Sequence, residues 1–337
     1  VSAWDALFTD HFSTANPAAV ALNGGSFTWA VAATGTANVE VATSYLLGAG
    51  LMPPRVLGGK RLRWEHPTLG VWTGPVTAPR SSGRDAVTEV VAKTLDWYYQ
   101  GRRTPKVTDT GMASAGYVFR RAAEDRYRAS DRIGVDVTVR SSRALTPSVA
   151  RAHDLGGLLR DLVRQSGEEY WVDHDAEAVE WTQRAGRDKS GDIALIWGRE
   201  IVDFEYAYDL EAIFNELLVV PQRSPYDRTR TISVRDEDSI SRHGLRQRVE
   251  VVPGLVTRAA LRSIGYALLS DYASRGDMVT VTLDDSTDVW ADIDDGDSVT
   301  VILPPINCRC RARCMVRHYD LESDLLTLSM EIEEELD

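Results

Sequence analysis

Apolar and polar residues alternate over short runs across positions 1–80. Phe27, Trp29 and Val31 alternate with Thr28 and Ala30, and Val39 and Val41 flank Glu40. Gly58 and Gly59 lead into Leu62 and Trp64, which alternate with Arg61 and Arg63, and the run Val71 to Val76 follows. A period of two puts one set of side chains on one face of a strand. Short strands joined by turns are therefore expected here, in a small barrel or sandwich.

The spacing changes near Asp85. Val87, Val90, Val91, Thr94, Leu95 and Tyr98 fall on one face at helical spacing, with Gly101 as a stop, and predict a helix. Between Asp109 and Gly167 the order reads helix, strand, helix. Val118, Ala122 and Ala123 mark the first, Val135, Val137 and Val139 the strand, and Leu155, Leu158, Leu159 and Leu162 the second helix. Strands resume at Tyr170 to Val172, turn at Asp173-His174-Asp175-Ala176 into Val179 to Trp181, and continue at Ile193 to Trp197. Phe204, Tyr206 and Tyr208 alternate with Asp203, Glu205 and Ala207, as in a strand with one face buried; Val219 to Pro221 closes this part.

In the last third, Val249 to Val252 is stopped by Pro253-Gly254. A helix carries Leu261, Ile264, Leu268 and Tyr272 and ends at Gly276. A strand from Met278 to Leu283, an acidic turn from Asp292 to Asp297, a strand from Val299 to Ile302 and a strongly alternating strand with Leu326, Leu328, Met330 and Ile332 complete the chain.

Composition narrows the function classes. The chain has 337 residues, 43% of them hydrophobic, enough for one large domain or two to three ordinary ones. A net charge of −12 argues against gripping nucleic acid through its phosphates. It suits a channel that DNA passes without sticking, and equally ordinary solubility. No stretch approaches the ~20 apolar residues of a membrane span, and no secretory signal is expected from Val1 to Asn16. Lysine is confined to Lys60, Lys93, Lys106 and Lys189, an arginine bias that points to a GC-rich genome.

The sharpest local chemistry is Cys308, Cys310 and Cys314. Alternation puts them on one strand face with Ala312 and turns Arg309, Arg311 and Arg313 to the other. Three readings stay open: buried thiols acting as small hydrophobes, a metal site completed by His318, or a disulfide. The metal reading is opposed by a spacing unlike the standard zinc patterns and by one rigid strand's inability to surround an ion; the disulfide would need a bend. An odd cluster of three fits a reducing compartment during folding. The arginines, with Arg317, are expected either in water or paired with Asp292, Asp294, Asp295 and Asp297. For catalysis the best candidates are Glu168, Glu169, Asp173 and Asp175 beside His174, which could flank a glycosidic bond or form an acidic hairpin tip. Gly-x-Ser-x-Gly, His-Glu-x-x-His and phosphate-loop signatures are absent from the sequence. No catalytic residue, cofactor or metal is assigned.

The order of parts resembles a known family. A helix, a strand, the turn Asp294 to Val301 and a closing strand pair are similar to the end of bacteriophage tail-hub proteins. The run Gly70 to Val76 resembles the first-barrel segment of minor tail proteins from long-tailed phages of actinobacterial hosts. Gly198 to Tyr206 is similar to the strand opening the second half of such hubs. The resemblance implies a mainly β fold with α+β insertions: two small related β-barrel domains plus an inserted α/β subdomain. The expected division is 1–105 and 201–337 for the barrel regions, each with one helix, and 106–200 for the insertion. It further implies a homotrimeric ring closing the tail tube, six barrels adapting sixfold to threefold symmetry, and a lumen for tape measure protein and DNA. The expected partners are the distal tail protein, the tape measure protein and tip spike or fibre proteins, with no sequence-specific nucleic-acid binding and no stable membrane insertion. The expected location is the tail tip of the virion, after assembly in the host cytoplasm. Ending at Asp337 after a barrel strand, the chain is expected to leave any lytic activity to another polypeptide. The alternative is a carbohydrate-active enzyme or carbohydrate-binding module on an all-β scaffold, stacking sugars on Trp64, Trp72 or Trp181.

Overall fold

The computed structural model describes residues 5–10, 13–82, 86–102, 114–124, 135–142, 154–221, 231–252, 258–274, 277–284 and 289–336. Among them no helix is long and apolar enough to cross a membrane. The fold is mainly β, and its centre is a closed six-stranded antiparallel barrel. The barrel is made by β1 (Asp5–Asp10), β2 (Ser13–Ala30), β3 (Thr36–Ala42), β4 (Lys60–His66), β5 (Gly70–Ser81) and β6 (Val87–Lys93). Its order is β1-β4-β5-β6-β3-β2, and β2 returns to β1. Two short helices, α1 (Thr43–Gly48) and α2 (Pro54–Leu57), lie between β3 and β4. The alternating residues read from the sequence face inward: Phe27, Val39, Val41, Leu62 and Trp64 are all buried.

The helix expected from Asp85 is instead strand β6, followed by a 3-10 turn over Leu95–Tyr99; Asp85 itself lies outside the described residues. The segment satisfies both periods. Thr88, Val90 and Ala92 are buried at spacing two, the β-branched residues favour the pleat, and β3 and β5 pair with both edges. Tertiary pairing decides between the two patterns.

A second six-strand set runs β10-β16-β17-β18-β15-β11. Its members are β10 (Ala194–Ile196), β11 (Ile201–Tyr208), β15 (Asp277–Asp284), β16 (Ser298–Leu303), β17 (Cys308–Asp320) and β18 (Leu325–Glu335). β17 pairs with β2, fusing the two sets into one core. A bulge between Cys314 and Val316 moves the inward side chains from even to odd positions: Cys310, Ala312 and Cys314 are buried before it, Arg317 and Tyr319 after it.

Two small α/β units flank this core. One joins β7 (Asp136–Val139), β8 (Glu169–Asp173) and β9 (Ala178–Thr182) in the order β7-β9-β8, covered by α3 (Ala115–Glu124) and α4 (Leu155–Ser166). Asp154 caps α4 by accepting from Gly157 N at 2.6 Å, and Gly167 ends it with φ 63°. The other joins β12 (Glu216–Pro221), β13 (Ile232–Arg235) and β14 (Gln247–Val252), with α5 (Glu237–His243) beside it and α6 (Arg258–Ser274) packed on the inner face. Helix α6 meets the sequence expectation through Leu261, Ile264, Leu268 and Tyr272. Gly276, its expected stop, lies outside the described residues.

Candidate functional site

The chemistry-bearing residues converge where the first α/β unit sits on the fused barrels. A cleft of about 630 Å³ opens there, bordered by the β8–β9 hairpin, the β4–β5 turn and the acidic loop before β16. Of the β17 arginines, Arg317 lines it. Arg313 is buried: both guanidinium ends donate to Glu169 of β8 at 2.5 and 2.6 Å, and further bonds reach the carbonyls of Gly296 and Ala185 at 3.0 Å. Arg317, also buried, donates to Asp295 at 2.8 Å and to the Ile293 carbonyl at 3.1 Å, with Trp29 beneath it at 5.2 Å. Arg311 lies within 3.2–3.3 Å of Glu334 and Glu333 at the surface. Arg309 is exposed.

The acidic loop is therefore partly a clamp. Asp297 accepts from the backbone of Arg187 and Asp294 and holds Lys189 at 2.6 Å; Asp292 and Asp294 remain exposed. Gly186 and Gly296 cross so closely that a Cβ on Gly186 would lie 2.0 Å from the Gly296 carbonyl carbon, and both have positive φ. Burial with bidentate geometry makes these pairs stronger determinants of register than exposed pairs.

The carboxylates beside His174 separate. Glu168 accepts from Ser142 Oγ at 2.8 Å and Trp181 Nε1 at 2.7 Å, and Glu169 holds Arg313. Asp173 caps Ala176 N at 2.8 Å, and Asp175 lies exposed, 3.8 Å from Arg63. Glu168 and Glu169 are thus committed to internal partners, whereas Asp173 and Asp175 line the cleft.

His174 pins the hairpin to the first barrel. Its ring stacks on Trp72 at 5.8 Å, and Nδ1 accepts from Thr73 N at 2.8 Å. Burial holds its pKa down to about 3; the Thr73 carbonyl, 3.1 Å from Nδ1, favours the charged ring but does not offset the lost hydration. The ring is thus neutral when folded and protonates near 6.5 when unfolded. Stability from this group is complete above pH 6.5 and is lost as pH falls towards 3, at up to ~1.4 kcal/mol per pH unit. We expect His174→Asn to flatten that slope in urea titrations repeated between these limits; an unchanged slope would show that His174 is not its source.

The cysteines are free thiols: Cys310 and Cys314 are buried in the core and Cys308 is half-buried. Burial pushes the thiols of Cys310 and Cys314 well above the ordinary range. His318 is half-buried and its Nδ1 meets Thr28 Oγ1 at 2.9 Å; it neighbours Thr327 and Thr28 across the strands, on the face opposite Arg317 and Tyr319. Among the described residues, no group of three or more His, Cys, Asp or Glu is placed to hold a metal. Trp64, Trp72 and Trp181 are completely buried, which removes all three as sugar platforms.

Sequence reasoning missed several joints. Asp96 accepts from Thr34 and Thr94 at 2.5 Å and from Tyr170 OH at 3.2 Å, tying β8 to the barrel. Arg61 pairs with Glu177, and Arg164 with Glu250 between the two α/β units. The Arg61 and Arg164 partners lie more than eighty positions away, so no local pattern signals them.

No protein family and no curated protein matches the sequence. Solved structures do match over nearly their whole length. The 43 kDa tail protein of prophage MuSo2 from Shewanella oneidensis has a TM-score of 0.71 at 12% identity, covering 97% of this chain and 98% of that one. A tail protein from Neisseria meningitidis has a TM-score of 0.71 at 14% identity, covering 97% and 96%. A prophage tail protein from Listeria monocytogenes has a TM-score of 0.62 at 10% identity, covering 98% and 95%. The chain has the fold of these phage tail proteins.

Proposed function

We propose that the protein is a structural component of a bacteriophage tail tip, a baseplate hub in the virion, and not an enzyme. The observation that carries this reading is the end-to-end correspondence with solved tail proteins, at a TM-score of 0.71 over 97% of the chain. In its finer form, the protein is a minor tail protein of a long-tailed phage with an actinobacterial host. Three copies form a ring that closes the tube, with barrel regions 1–105 and 201–337 and insertion 106–200. Each chain carries two six-strand units, so three chains would supply six, which suits a passage from sixfold to threefold symmetry. The buried clamps at Arg313 and Arg317 favour a stiff scaffold, and the −12 charge suits a lumen that releases tape measure protein and DNA without retaining them. The neighbours would be the distal tail protein on one side and a spike or fibre on the other, with assembly in the host cytoplasm.

Light scattering on the purified chain, alone and mixed with its distal tail and tape measure proteins, tests the ring. A species of three chain masses in either condition is expected. A monomer, or another multiple, in both conditions would overturn the trimer.

A further inference from the structure

The two six-strand sets differ at one seam. The first closes because β1 pairs with both β2 and β4. In the second, β11 pairs with β15 along one edge, while its other edge meets the described residues only at Ile201, which bridges Trp197 and accepts from Gly198 N at 3.0 Å. Beyond Ile201 no described residue pairs with that edge. Sequence alternation predicts a half-buried strand here, yet Phe204 and Tyr206 are only partly covered and Tyr208 is exposed.

The surroundings of this edge have a definite chemistry. Asp203, Glu205, Asp209 and Glu211 are exposed, and among the described residues no cation pairs with them. No Lys or Arg occurs from Asp203 to Pro221. Val202, Tyr208 and Leu210 add exposed apolar surface. A pocket of about 410 Å³ adjoins the strand, lined by Tyr206, Ile306, Cys308, Arg309, Glu335 and Leu336. Asp277, opposite Tyr208, has its carboxyl pushed up by burial and by Glu335, although Tyr206, His243 and Arg242 act the other way. Negative charge is thus in excess along a strand edge that no described residue pairs beyond Ile201, with apolar side chains beside it.

We propose that the free edge of β11 is a docking edge for another polypeptide: an extended segment, basic and aliphatic, that adds as a strand and covers the adjoining pocket. Backbone hydrogen bonds would supply the affinity, while alternate side chains fill the pocket and meet the carboxylates. The acids and the bulge between Ile201 and Asp203 guard the edge until that segment arrives, since charge and bulges block indiscriminate strand pairing. The proposal does not rest on the trimeric ring: a wrong chain count would leave this edge as it is.

The test uses the full chain and a synthetic probe, acetyl-Lys-Val-Lys-Ile-Lys-Val-Lys-amide, with a copy N-methylated at alternate amides as control. Binding is followed by calorimetry and by amide hydrogen exchange. The plain peptide is expected to bind in a salt-sensitive manner and to protect residues 202–208, and the methylated copy is expected not to. The double variant Asp203→Lys/Glu205→Lys should weaken binding by roughly tenfold or more. Equal binding of both peptides, protection elsewhere, or no binding would overturn strand addition. Protection of 202–208 that rises with protein concentration alone would assign the edge to a second copy of this chain and overturn the proposed partner.

Discussion

Replacing Arg313 by methionine is expected to lower the unfolding free energy by ~3–5 kcal/mol, the usual cost of removing one partner from a buried ion pair. Methionine fills much of the space but donates nothing. The Glu169 carboxylate would lose both guanidinium contacts, and the Gly296 and Ala185 carbonyls would lose their donor. The loss reaches three segments at once: the hairpin strand β8, the turn at Ala185 and the acidic loop at Gly296. Adding Glu169→Leu to the same chain should recover a large part of the loss, because no unpaired charge then remains. Urea unfolding followed by tryptophan fluorescence measures both variants. A single variant within about 0.5 kcal/mol of the parent would show that the pair does not hold the insertion to the barrels.

Trp64→Ala should cost a similar ~3–5 kcal/mol, through a cavity rather than a charge. Trp64 is fully buried and stacks on Phe27 with ring centroids 4.0 Å apart and an interplanar angle of 9°. Tyr319 lies 5.5 Å from it. Phe27 and Tyr319 are register partners across β2 and β17, so this aromatic stack spans the seam that fuses the two strand sets. The comparison is Leu47→Ala on α1, where the side chain is 63% exposed and a change within about 0.5 kcal/mol is expected. Equal effects from the two substitutions would sink the view that Trp64 organises the shared core.

Strong local alternation identified the strands whose side chains meet a core on one face and a neighbour or water on the other. Residues 27–31, 39–41, 62–64, 278–283 and 326–332 all behave this way. Where a segment carries two periods, pattern alone was insufficient. Val87 to Lys93 has helical spacing as well as alternation, and pairing with β3 and β5 makes it a strand. The strand Ile232–Arg235 and helix Glu237–His243 were not anticipated; each is short, and their sheet is organised by α6 from a later part of the chain.

Charged residues were less legible than apolar ones. Arg309 and Arg313 occupy the same side of an alternating strand, yet one is exposed and the other lies under the insertion. Glu169 and Asp175 read alike as members of an acidic turn, but Glu169 holds an arginine 144 positions away and Asp175 faces water. The sequence by itself determined the mainly β character, the inward faces of most strands and the position of the long helix α6, because burial period is a property of neighbouring residues. Closure of one barrel and the partners of His174, Arg313 and Arg317 were decided only by tertiary structure. Each depends on which distant segment arrives at a given edge or charge, and local period carries no information about that.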